Sequence, residues 1–244
     1  MIDLHTHILP GLDDGALDID DSLAMARIAI SDGISVVCAT PHVRGDHDVR
    51  IEQLPDRVLA LQRALDDTQI ELRVVPGGEI SALVADSLSE RHLRALCLGA
   101  GDWVLLEPAP GPITDELPAL VERLAARGAR TVVAHPERHA GADFESLLQR
   151  LAGRGCLLQW TADFLAKSDA ITADLISRLA ANGLVHLLAS DAHSSHGGRP
   201  LKLSHGAEWL RRRGLTALAS WSVREGPAAV LRGGPVAPPV SVNP

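Results

Sequence analysis

The sequence predicts an α/β fold, a single-domain parallel β/α barrel with seven strand-helix units. Three observations predict it. The chain has 244 residues, and such barrels run near ~250. Short aliphatic runs alternate with longer stretches at helical spacing. Several of the predicted helices stop at a glycine that leads into the next strand. An open doubly wound sheet shares this alternation and stands as the alternative architecture.

The first strand is expected over Ile2–Leu4. A helix over Asp20–Ser31 follows and stops at Asp32-Gly33. The second strand, Ile34–Thr40, leads to a helix over Leu54–Asp67, and the third strand spans Leu72–Val75. The fourth, Trp103–Glu107, precedes a helix over Asp115–Arg127, stopped by Gly128. Strand Thr131–Ala134 pairs in sequence with helix Asp143–Arg154 and Gly155. Strand Cys156–Thr161 pairs with helix Thr172–Asn182 and Gly183. The seventh strand, Val185–Ser190, leads to a last major helix over Leu201–Arg213, with shorter pieces beyond. Several strands are nearly continuous apolar runs, as parallel strands buried on both faces must be. No linker splits the chain. Gly233–Pro244 is rich in Pro, Gly and Val and reads as an ordered-late or loose C-terminal tail after a domain over 1–232.

Composition narrows the function. Apolar residues make up 46 %, with no Tyr and two Phe, so the core must be aliphatic. The net charge of -8 argues against a nucleic-acid face. It does not forbid an anionic substrate, because bound cations reverse the local sign. Cys38, Cys97 and Cys156 match no metal or redox spacing and read as buried reduced thiols. No signal segment opens the chain and no apolar run approaches ~20 residues, so a cytoplasmic protein without membrane insertion is expected.

The informative pattern lies at the strand ends. His5 and His7 follow the first strand, His42 the second and Glu79 the third. Glu107 ends the fourth, the fifth runs into His135, and the seventh ends at Asp191 and His193. Asp14 lies in the loop after the first strand. In parallel β/α folds these ends converge on one face. Nine N and O ligands without Cys suit Mn, Zn or Fe, and nine is too many for one ion. Two or three divalent ions sharing carboxylates are expected. Taken singly, each residue has a plainer reading: Asp13-Asp14 as turn formers, Glu79 and Glu107 as solvated acids, Ser190-Asp191 as a helix cap. Those readings do not explain why such residues close nearly every strand. His47, His92, His139, His196 and His205 read as surface or loop residues, and His186 as a core residue.

The segments Met1-Ile2-Asp3-Leu4-His5-Thr6-His7 and Gly11-Leu12-Asp13-Asp14-Gly15 open a recognisable series. Ala39-Thr40-Pro41-His42, Pro76-Gly77-Gly78-Glu79, Leu105-Leu106-Glu107, Ala134-His135-Pro136-Glu137-Arg138 and Leu188-Ala189-Ser190-Asp191-Ala192-His193 complete it. Together they resemble the polymerase-and-histidinol-phosphatase (PHP) superfamily and, within it, the bacterial capsule-type protein-tyrosine phosphatases of the CpsB/YwqE-like group. The resemblance runs from residue 1 to about residue 232. It implies a distorted TIM-like (β/α)7 barrel with a trinuclear metal centre, Mn being favoured over Fe, Zn or Mg. By motif matching, one ion would be held by His5, His7, Glu79 and Asp191. A second would be held by Glu79, Glu107 and His135, and a third by Asp14, His42 and His193. Arg138 and Arg199 match phosphate-contacting arginines. Val43 departs from the pattern, standing where many relatives carry a second His, and the Arg44–Asp48 loop is unusually charged.

The resemblance implies phosphotyrosine in a protein as substrate, such as the C-terminal tail of a bacterial tyrosine kinase controlling capsule or exopolysaccharide synthesis. A small-molecule phosphatase of the histidinol-phosphate type, a nuclease and a non-catalytic metal-binding protein are the alternatives. No Cys precedes a Gly-rich anion nest and Arg, so chemistry through a thiolate is not expected. The sequence offers no general acid for the leaving group.

Overall fold

A computed structural model describes residues 1–239. Of the stretch 233–244, expected as a tail, residues 233–239 are described and 240–244 lie outside the described residues. In chain order the elements are β1 (Ile2–Thr6), α1 (Ile19–Ser31), β2 (Val36–Ala39), β3 (His42–Val43), α2 (Leu54–Asp67), β4 (Arg73–Pro76), β5 (Glu79–Ser81), α3 (Glu90–Ala95), β6 (Trp103–Glu107), α4 (Glu116–Ala126), β7 (Arg130–Val133), α5 (Phe144–Gly153), β8 (Leu157–Thr161), α6 (Ala162–Lys167), α7 (Ala170–Ala181), β9 (Leu187–Ala189), α8 (Ser204–Arg211), α9 (Thr216–Trp221) and α10 (Glu225–Arg232).

Every strand pairing is parallel, and the pairings run around a distorted barrel. The second and third expected strands appear as β2 and β4, and each is followed by a further short strand, β3 and β5, that was not expected. β1, β2 and β4 form one sheet, and β3 joins β5 in the sheet that continues to β9. Pro41, which has no N–H to donate, and Gly77-Gly78 mark the breaks. The two pieces stay in step because Glu79 N–H donates to Pro41 O at 3.0 Å.

Closure falls between β1 and the end of β9. There His7 N–H donates to Ala192 O and Asp191 N–H to His5 O, both at 2.9 Å. Lower down the two strands part. Ile2 N–H donates to Val223 O and Leu188 N–H to Ser222 O, so the α9–α10 turn sits in the seam. The buried Asp3 carboxylate spans the gap and accepts from Ser190 N–H at 3.2 Å. The register of β1 also slips between Asp3 and Thr6, a bulge of the kind that re-aims side chains near sites.

Side-chain alternation then sorts the strands. Leu4, Cys38, Val75, Trp103, Leu105, Val132, Leu157 and Leu187 share one apolar cluster, completed by Val230 from α10. Their neighbours Val37, Val74, Val104, Leu106, Val133, Leu158 and Leu188 belong to the cluster packed against the helices. The first set fills the barrel interior. Gly33, Gly128, Gly155 and Gly183 follow their helices at φ of 69° to 82°, the left-handed stop expected of them. The three thiols are free and buried.

Candidate metal centre

The same alternation that buries Trp103 and Leu105 carries Glu107 to the interior at the strand end. Likewise Ile80 and Val43 pack outward, so Glu79 and His42 turn inward. His135 and Asp191, just past β7 and β9, are non-glycine residues at φ of 28° and 51°. Residues held in that sparsely populated region cluster at functional sites.

All nine expected positions meet at this mouth. Ligand atoms lie within 4.8 Å of one another in four groups: His7, Asp14, His42 and His193; His5, His135 and Asp191; His5, His7 and Glu79; His42, Glu79 and Glu107. The partition differs from the one the resemblance implies. Glu107 groups with His42, His135 groups with His5 and Asp191, and His7 joins the Asp14 group. Glu79 is central: its carboxylate lies 2.9 Å from His135 Nε2, 3.3 Å from His5 Nε2, 3.4 Å from His7 Nε2 and 2.8 Å from His42 Nδ1.

Several features fit divalent cations. His5 Nε2 and His7 Nε2 face each other at 3.2 Å, with Asp191 Oδ1 at 3.2 and 3.4 Å. His42 Nδ1, Glu79 Oε2 and His135 Nδ1 are buried without an aligned hydrogen-bond partner, an arrangement that ordinarily calls for a ligand. The donors are imidazole and carboxylate, which suit Mn, Fe or Zn.

Other residues fix the imidazoles. His5 Nδ1 bonds Gln159 Oε1 at 2.9 Å and His7 Nδ1 bonds Asp13 Oδ2 at 2.8 Å. Asp13 also accepts from the backbone N–H of Gly15 and His42. Such partners set which nitrogen faces a metal. A Cβ on Gly15 would lie 2.2 Å from His7 O, so this loop packs against β1 only with glycine there.

Without cations, the cluster polarises itself. Burial opposes charge throughout, yet the His5 charge and the His135, His42 and His5 contacts hold Glu79 well below the usual carboxylate range. Burial also opposes charge on Asp191, but His5 and His7 depress it. His7 is raised well above an ordinary imidazole, because Asp13, Asp191 and Glu79 outweigh its desolvation. Burial and the His7 charge push His193 down to about 4. Burial and then the Glu79 charge raise Glu107.

Arg138 and Arg199 stand over Asp191. Arg138 Nη2 donates to Asp191 Oδ2. Arg199 Nε donates to Asp191 O at 2.7 Å, and its Nη2 lies 2.8 Å from His193 Nδ1. Asp13, Gln159 and Arg44 were missed by sequence reasoning as site residues. Gln159 carried a signal, being a polar residue at an interior position of an apolar strand. Arg44 reaches within 4.0 Å of Asp14 and 3.9 Å of Glu107. His139 is buried, against the surface expectation, because it stacks on His135 with centroids 5.8 Å apart. His186 is buried as expected.

Fold and site together define a distorted TIM-like barrel with an imidazole-carboxylate cluster at the C-terminal mouth of its strands. The model of the family described as capsular polysaccharide synthesis, CpsB/CapC, matches residues 1–232, and the chain belongs to that family. It is 36 % identical over 202 residues to tyrosine-protein phosphatase YwqE of Bacillus subtilis, covering 80 % of this chain and 78 % of that one. A solved structure from work on YwqE of Bacillus subtilis and CpsB of Streptococcus pneumoniae, described as metal-dependent tyrosine phosphatases, superposes with TM-score 0.85. Identity there is 31 %, and 98 % of each chain is covered. Histidinol phosphate phosphatase of Lactococcus lactis shares the fold, with TM-score 0.55 at 13 % identity over 87 % of this chain and 93 % of that one.

Proposed function

We propose that this chain is a metal-dependent protein-tyrosine phosphatase. The convergence of buried imidazoles and carboxylates around Glu79 carries the reading, and the family and the similarity to YwqE support it. His5, His7, Asp14, His42, Glu79, Glu107, His135, Asp191 and His193 would hold two or three divalent ions, with Mn favoured. Such ions supply positive charge for phosphoryl oxygens and lower the pKa of water toward ~7.

The chain's own residues do the rest. Asp13 and Gln159 keep the Nε2 atoms of His7 and His5 turned to the centre. Arg138 and Arg199 sit beside the cluster, where guanidinium forks can grip phosphoryl oxygens in pairs. A tyrosinate leaving group has a conjugate pKa near ~10, so it needs less protonation help than an alkoxide. A cysteine nucleophile has no support: burial pushes Cys38 and Cys156 up to about 12 and Cys97 to about 11.

The physiological substrate on this reading is a phosphotyrosine tail of a bacterial tyrosine kinase in capsule synthesis, met in the cytoplasm. No helix of the described residues is long and apolar enough to cross a membrane. The barrel over 1–232 is the catalytic unit and the remainder is a tail. The test is turnover of phosphotyrosine peptide against histidinol phosphate and single-stranded DNA with Mn. Activity on the peptide that a chelator abolishes, Mn restores and thiol alkylation spares is expected. Preference for histidinol phosphate, or full activity after demetallation, would refute the reading.

A further inference from the structure

Two clefts flank Arg138. One, of about 460 Å³, lies between Arg138, Arg199 and Phe164 and is lined also by Glu137, Asp163 and Asp169. The other, of about 430 Å³, runs from Arg44 to Arg138 and has Glu107 and His135 in its wall. Only the second reaches the carboxylate-imidazole cluster itself. Its outer wall is apolar, built from Leu83, Val84, Pro108 and Pro110. Leu83 lines this wall and is 71 % exposed, so its side chain is open to an incoming group.

We propose that the cleft between Arg44 and Arg138 receives the aryl ring of the phosphate ester, and that Leu83 makes the enzyme select aryl over alkyl esters. The inference rests on the phosphatase reading of the site. Charge and polarity grade along the cleft as such an ester demands. Arg138, Glu107 and His135 line it beside the cluster, for the phosphoryl group, and Leu83, Val84, Pro108 and Pro110 give it aliphatic wall for a ring. Arg44 is placed to act on the ring. Its edges are held, with Nη2 donating to His47 Nε2 at 3.0 Å and Nε 2.8 Å from Asp46, while Glu107 and Asp14 stand 3.9 to 4.0 Å away, so the flat face of the guanidinium is what it offers a ring. A planar guanidinium on one face and Leu83 with the prolines on the other would sandwich an aromatic group. Phe164, in the other cleft, has no part in this selection.

The test compares Leu83→Ser and Phe164→Ala with the unsubstituted Mn enzyme, on phosphotyrosine peptide and on glycerol phosphate. Leu83 is a surface position, so circular dichroism and thermal unfolding should show intact folding. Leu83→Ser is expected to raise KM for the peptide roughly tenfold. It should leave kcat/KM for glycerol phosphate and inhibition by inorganic phosphate unchanged, and Phe164→Ala should change neither ester selectively. Equal losses on both esters, no loss on either, or a selective loss in Phe164→Ala instead would overturn the inference while the phosphatase reading stands. Absence of turnover on either ester by the unsubstituted enzyme would overturn both.

Discussion

Inside this barrel the floor and the mouth are built on the same strands with opposite chemistry. Along β6, Trp103 and Leu105 fill the floor and the next interior position is Glu107. Along β8, Leu157 gives way to Gln159, which holds His5. The floor is closed by α10 through Val230, and the Trp103 indole donates to Gly234 O at 2.9 Å. The floor is stable by itself, because burying apolar surface needs no partner chemistry. The mouth is not: it crowds buried imidazoles and carboxylates whose charges compensate only in part, and added cations complete it. One end holds the fold and the other end holds the function.

Mutations at the two ends should therefore fail in different ways. The largest effect is expected from Glu79→Ala. It should cost several kcal/mol of transition-state stabilisation, on the order of 10³-fold or more in kcat/KM, with metal content reduced and folding retained. Turnover and elemental analysis of the purified protein check it. Trp103→Ala should do the reverse. A loss of about 3–5 kcal/mol in unfolding free energy is expected, with metal content per folded molecule unchanged. Denaturant titration of the Mn-loaded protein reads it.

Much of this division was legible before the structure. The mouth residues were readable because each follows an apolar run at a place where parallel strands converge. The β6 boundaries, Trp103–Glu107, match the expectation in full. The short strands β3 and β5, beyond the expected ends of the second and third strands, were not legible. They depend on where the pieces after Pro41 and Gly78 find partners, which is a tertiary matter. The β1 bulge was hidden for the same reason. Helices α3 and α6, each six residues, were too short to show a period. The seating of Asp13 and Gln159 behind the imidazoles needed coordinates, since neither spacing nor residue type pairs position 5 with position 159.

Histidines sharpen the comparison further. His186 lies away from the mouth, where its Nδ1 accepts from Leu158 N–H at 2.9 Å. Burial pushes it down to about 4. Its folded value is depressed, so the unfolded chain binds the extra proton between pH ~6.5 and 4, and stability falls as pH drops through that window. The cost at full effect is on the order of 3 kcal/mol. In the metal-free protein His7 behaves oppositely. Its raised value adds stability that is complete below pH ~6.5 and is lost as pH rises through the folded value. Imidazole ¹⁵N shifts should show His186 neutral and His7 protonated at pH 6. The reverse order would contradict the charge pattern described here.

The smallest effect is expected behind the ligands. Gln159→Leu should leave the fold intact and weaken metal affinity ~10–100-fold, because His5 loses the partner that orients it. Competition with a fluorescent chelator measures it, and unchanged affinity would show that Gln159 merely fills space.

The most direct measurement of the central claim is anomalous diffraction from crystals grown with Mn. Two or three peaks are expected among His5, His7, His42, His135, His193 and the carboxylates of Asp14, Glu79, Glu107 and Asp191, with Glu79 touching more than one. A barrel mouth without Mn peaks, in crystals of protein that still hydrolyses phosphotyrosine, would contradict it.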